Sequence, residues 1–193
     1  MNRIFIILIA LLATNEFQGQ SIKQQSINAQ IGFAVSSPYE SSDEVAGTGF
    51  FLQGEYVMRV ASWLELKPYA GLVLANANNE DLNGYPTDEF AESRAFLIGG
   101  KARVRAPIRW VAPYIEIGIG ASIGKFATLT DFTTIEKNGL IYHIPVAFGL
   151  ELGRNNNFDL GFTFYAQPSV EQSVGAFAIG ISFPLKTKKS PSN

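Results

Sequence analysis

Acid–base chemistry has few carriers in this chain. His143 is the single histidine, and Ser122, on the same side of a neighbouring segment, is the one serine placed to pair with it. A serine–histidine pair acts only when hydroxyl and imidazole lie within about 3 Å and a third group orients the ring. Ile144 and Pro145, which follow His143, form no catalytic motif, so the chain reads as non-enzymatic and His143 as a hydrogen-bonding residue. The acidic stretch 80–92 carries Glu80, Asp81, Asp88, Glu89 and Glu92, but its spacing matches no calcium loop. Gly118 and Gly120 alternate within a strand pattern and are not followed by Gly-Lys-Ser or Gly-Lys-Thr, so no phosphate loop is present. Cysteine is absent, which removes disulfides, thiolate metal sites and a lipidated anchor. No catalytic residue, cofactor or metal is assigned.

The other chemistry is ionic. In the segment 95–106, Phe96, Ile98, Gly100, Ala102, Val104 and Ala106 fall on one face, and Lys101, Arg103 and Arg105 on the other. Extending the alternation to neighbouring segments collects five acids, Glu55, Glu65, Glu116, Glu151 and Asp159, and five bases, Arg59, Lys67, Lys101, Arg103 and Arg105, on the non-greasy side. A water-soluble sheet would turn the apolar face inward and leave these charges in water. A transmembrane β-barrel exchanges the two, because its outer solvent is lipid and its lumen tolerates polar groups. Eight strands enclose only enough space for side chains, so ten charges there must pair with one another. The expected pairing joins the three cations of the fourth strand to Glu116 and Glu65, and Glu55 to Arg59.

The elements that must position these groups are short alternating segments at 30–36, 48–61, 64–75, 94–107, 111–122, 142–152, 158–167 and 176–183. Polar connections at 37–47, 76–93 and 128–139 are long, whereas those at 62–63, 108–110 and 154–157 are tight and the one at 168–173 is modest. An up-and-down meander with its short turns at one end gives this alternation. Trp63 and Trp110 each stand in a tight turn, followed in the next strand by Pro68-Tyr69 and Pro113-Tyr114. Both indoles are read as interface aromatics, rings in lipid and N–H groups among headgroups. Prolines 68, 113 and 145 lack a ladder donor, which a bulge or a strand end would absorb.

Fifteen basic and seventeen acidic residues leave a net charge of −2, and nothing points to nucleic acid. The start, Met1-Asn2-Arg3 followed by ten apolar residues at 4–13, has the make-up of a secretory signal and is too short to span a bilayer as a helix. The organisation read is a signal peptide at 1–20, a barrel at 21–185 and a basic flexible tail at 186–193.

With its leader, meander spacing, Pro-Tyr strand starts, alternating Gly118 and Gly120, and Phe183 near the end of the last strand, the chain resembles the small eight-stranded outer-membrane β-barrels. These are the OmpA-like transmembrane domain and the porin-family proteins of Bacteroidota. Phe183 departs from that pattern in being followed by ten residues. The resemblance implies residence in the outer membrane, insertion by the barrel assembly machinery, and contact with lipid and lipopolysaccharide. The fold class expected is all-β, a transmembrane eight-stranded antiparallel up-and-down barrel. The function expected is structural or surface-interacting, with loops facing an unidentified extracellular ligand. The alternatives are a narrow small-solute channel, a lipid-modifying outer-membrane enzyme and a periplasmic lipocalin-like carrier.

Overall fold

The computed structural model describes residues 24–78, 80–81 and 83–185. The signal peptide read at 1–20 and the tail read at 186–193 lie outside the described residues. Eight strands follow one another in chain order: β1 (Gln24–Pro38), β2 (Gly47–Arg59), β3 (Leu64–Asn76), β4 (Phe90–Arg105), β5 (Trp110–Leu129), β6 (Thr134–Gly153), β7 (Phe158–Gln167) and β8 (Gln172–Leu185). Each pairs antiparallel with the next, and β8 pairs back onto β1 from Gln25↔Leu185 to Pro38↔Gln172, which closes the barrel. Closure satisfies the backbone donors and acceptors that an open sheet edge would expose.

Burial along the strands is inverted relative to a soluble protein. Glu65, Lys67, Arg103, Ser122, His143 and Gln167 are at most 1% exposed, whereas Ile117 is 62% and Ile119 69% exposed. On β5 the exposed apolar side chains run from Val111 through Ile115, Ile117 and Ile119 to Ile123. At about 3.3 Å per residue and a tilt of about 40°, that run covers roughly 30 Å along the barrel axis, matching a hydrocarbon core. Toward the long-loop end the interior turns apolar, with Phe51, Val73, Leu97, Phe126 and Val174 packed together.

The sequence and the structure part at several boundaries. β1 begins at Gln24 instead of 30, and β4 begins at Phe90, so Glu92 stands in a strand instead of a loop. β5 and β6 each have 20 residues, and the connection read at 128–139 is a four-residue turn, 130–133, at the tip of a long hairpin. A strand clear of the hydrocarbon has water on its outer face, so the apolar alternation that marks it within lipid disappears. Likewise β8 starts at Gln172, and a single 3₁₀ turn, Pro168–Val170, is most of the seventh connection. The prolines need no bulge: pairing skips two positions opposite Pro68 and Pro145 and resumes in the same register.

Two glycine pairs make room for the inward tyrosines. A Cβ at Gly149 or at Gly161 would lie 2.4 Å from the Tyr114 hydroxyl, and one at Gly99 or Gly120 would lie within 2.6 Å of the Tyr69 hydroxyl. These rings fill a lumen that eight strands leave narrow.

Candidate functional site: the ionic lumen

All ten charges read from the sequence point into the barrel, on β2 to β7. Nine of them are at most 5% exposed, and the side chain of Arg59, at the short-turn end, is 25% exposed. Register explains how they meet. Arg103 on β4 stands directly across from Glu116 on β5, with Nε 2.5 Å from Oε1, and Arg59 stands across from Glu65, with Nη2 at 2.6 Å.

Two other cross-strand pairs join like charges, Lys67↔Lys101 and Glu151↔Asp159. Directly opposed like charges are destabilising unless countered. Glu55 and Glu116 each bind both lysines: Glu116 at 2.9 Å from Lys67 and 2.7 Å from Lys101, Glu55 at 2.5 Å from Lys101 and in contact with Lys67. The result is a four-membered box of alternating sign. The Arg103 guanidinium closes the acidic pair, with Nη1 2.5 Å from Glu151 and 2.9 Å from Asp159. Its plane also lies over the Tyr114 ring at 3.5 Å from the centroid, while the Tyr114 hydroxyl donates to Asp159 at 2.6 Å. One arginine thus serves three carboxylates. Arg105 completes the chain through Glu151 at 2.9 Å and Glu65 at 3.5 Å.

The expected partnership of Glu55 with Arg59 is corrected. Glu55 takes Lys67 and Lys101, and Arg59 takes Glu65. Facing the same side along one strand does not bring positions 55 and 59 together, because each is nearer to charges across the ladder. Neutral members extend the network: Gln53 donates to Glu55 at 2.8 Å and accepts from the Tyr165 hydroxyl at 2.6 Å. Gln53, Tyr69 and Tyr114 alternate with the outward apolar residues of their strands and so share the face of the charges, and that shared face is the one signal the sequence carries for them.

Ser122 and His143 do meet, with Oγ 2.7 Å from Nδ1, and the Tyr69 hydroxyl lies 2.5 Å from Nε2. Each ring nitrogen therefore has one hydroxyl partner, as a neutral imidazole with one donor and one acceptor requires. Ser122 and His143 have no exposed surface, so a substrate has no route to the pair in this closed conformation.

At the other end the loops are pinned by Glu89. Its carboxylate accepts from the backbone N–H groups of Asp131 at 2.8 Å, Asp43 at 2.8 Å and Ser42 at 3.1 Å, joining three connections. Ser42 also donates to Asp131 at 2.8 Å and Thr87 to Asp43 at 2.6 Å. Removal from water raises the Glu89 pKa, but the three N–H bonds outweigh it and hold the carboxyl below its ordinary value. A depressed folded-state pKa stabilises the bonded arrangement above the ordinary glutamate value of about 4.3, and the gain is lost as pH falls through the lowered value. Exchange of the Ser42, Asp43 and Asp131 amides is accordingly expected to be slow at neutral pH and to speed up in acid relative to strand amides. In Glu89→Ala it is expected to be about 10- to 100-fold faster at neutral pH, the equivalent of about 1.5 to 3 kcal/mol. Unchanged protection in that variant would remove Glu89 from its pinning role.

The barrel is similar in structure to neisserial surface protein A, with a TM-score of 0.55, 13% identity, and coverage of 82% of this chain and 95% of that one. The fold is that of the small eight-stranded outer-membrane barrels. Further matches are Ail, the attachment invasion locus protein of Yersinia pestis (TM-score 0.48, 14% identity, 84% of this chain and 99% of that one), and the N-terminal β-barrel domain of OprF of Pseudomonas aeruginosa (0.46, 12%, 83% and 98%). No protein-family model matches the chain, and no curated protein does. At such identity the likeness lies in the fold, and the ionic lumen is a property of this chain's own side chains.

Proposed function

We propose that this chain is a non-enzymatic outer-membrane barrel whose lumen is shut by its ion pairs and whose pinned loops present a surface outside the cell. The observation that carries the closed lumen is packing. The cavity among Asn28, Glu65, Lys67, Arg103 and Glu151 holds about 20 Å³, room for about one water. A narrow solute channel would need a continuous wet path, and a lipocalin-like carrier an apolar cavity where these charges sit.

The surface role rests on the loop end. Glu89 gathers three connections into one cap, from which Tyr39, Tyr85 and Phe132 project, with Tyr85 70% exposed. Exposed aromatics on a fixed frame are the kind of feature that partner binding uses. Outer-membrane lipid surrounds the belt, with lipopolysaccharide beside the loops. Trp63 and Trp110, 50% and 59% exposed at the short-turn end, sit among the inner headgroups, and the barrel assembly machinery inserts the chain.

Purified protein in planar bilayers is expected to give no discrete conductance steps. Steps that change in Glu116→Gln or Arg103→Gln would replace this reading with that of a channel. Fractionation of cells should leave the protein in the outer membrane with heat-modifiable gel migration; recovery with soluble periplasmic protein would overturn the location.

A further inference from the structure

At the short-turn end, a cleft of about 370 Å³ opens between three turns, and four arginines line it: Arg59, Arg105, Arg109 and Arg154. Ser62 and Asn156 add polar groups, and no carboxylate lines it. Its frame is fixed, because the Asn156 side-chain amide donates to the Ile108 carbonyl at 3.2 Å and so ties the β6–β7 turn to the β4–β5 turn. Arg59 and Arg105 reach it from the lumen, where Glu65 and Glu151 already hold them. Arg109 and Arg154 are exposed and have no ion-pair partner among the described residues. Four guanidinium groups against two carboxylates leave an excess of two positive charges around one opening.

Arg105 is 5% exposed and held by Glu65 and Glu151, so its guanidinium stands in a fixed place at the cleft wall. Guanidinium forks match tetrahedral oxyanions by paired N–H···O bonds, and their charge persists at every physiological pH.

We propose that this cleft is a binding site for phosphate groups. The exposed Trp63, Trp110 and Ile108 at this end set the cleft at the level where a bilayer places its headgroups, so the phosphate can belong to an anionic lipid or be free in solution. The inference rests on the barrel reading but not on the closed lumen, since the cleft lies at the mouth.

The test uses the full chain refolded into phosphatidylcholine nanodiscs. Binding of inorganic phosphate is followed by phosphorus NMR line broadening, and preference for phosphatidylglycerol is measured by lipid retention after exchange. The variant is Arg109→Gln/Arg154→Gln, both in exposed turns. The control is Arg94→Gln/Lys125→Gln, an equal charge change on an exposed cross-strand pair toward the opposite end. Heat-modifiable migration verifies that each variant is a barrel, and so separates a failure of the fold from a failure of the site.

Wild type and control are expected to bind, and the turn variant to bind at least tenfold more weakly. Binding of inorganic phosphate that displaces phosphatidylglycerol supports a site for the bare anion. Phosphatidylglycerol retained without inorganic phosphate binding supports a headgroup site. Binding of neither by the wild type, or equal binding by wild type and turn variant, overturns the proposal.

Discussion

Arg103→Glu is expected to prevent stable folding, or to lower the urea midpoint of the barrel in detergent and vesicles more than any other single change in the lumen. Arg103 holds Glu116, Glu151 and Asp159 at 2.5, 2.5 and 2.9 Å, and its side chain is 1% exposed. Removing one partner of a buried ion pair costs about 3–5 kcal/mol, because the partner left behind remains buried and charged. Here reversal leaves three carboxylates and adds a fourth. A series orders the effect: Arg103→Lys keeps the charge but loses the planar fork and the stacking on Tyr114, Arg103→Met loses the charge, and Arg103→Glu reverses it. Midpoints should fall in that order, and a midpoint for Arg103→Glu equal to wild type would mean that the residue is solvated.

Ile117→Arg is expected to be the most damaging substitution on the outside, by about 2–4 kcal/mol for a cation at the bilayer midplane. Ile117 is 62% exposed, and in a soluble protein an exposed position of this kind tolerates arginine to within about 0.5 kcal/mol. Refolding into vesicles across a urea series measures the difference, with Ile117→Leu as the neutral control. Full stability of Ile117→Arg in vesicles would show that the belt does not meet hydrocarbon. Together the two substitutions oppose the expectation for a water-soluble chain, in which adding charge outside is cheap.

The faces of the strands were legible because lipid enforces a strict alternation. Phe96, Ile98 and Val104 could not share the side of Lys101, Arg103 and Arg105, and the structure separates them accordingly. Strand ends were not legible where the barrel leaves the hydrocarbon. Glu136, Lys137 and Asn138 read as loop because their polarity has no period, yet they pair in register with Phe126, Lys125 and nearby residues of β5. The partners of the fourth strand's cations were legible from the shared inner face, since Lys101 and Arg103 meet Glu116 and Arg105 meets Glu65 as expected. The box of Lys67, Lys101, Glu55 and Glu116 was not, since it depends on the register that places two lysines face to face. Glu89 stood among five acids of one loop, and nothing in that loop marks it as the residue that three other backbone N–H groups converge on.

Because the chain contains no cysteine, a single nitroxide label can be placed without disturbing a native thiol. The most direct test of the exchanged inside and outside is the collision rate of a label at Ile179 with oxygen and with a water-soluble nickel chelate, in protein refolded into vesicles. Ile179 is 59% exposed on β8 and pairs with Ile31 and Leu160. High oxygen and low nickel accessibility is the predicted result, as for a side chain among acyl tails. Protection from both reagents, as in a packed protein core, or ready access to nickel, as in water, would contradict it.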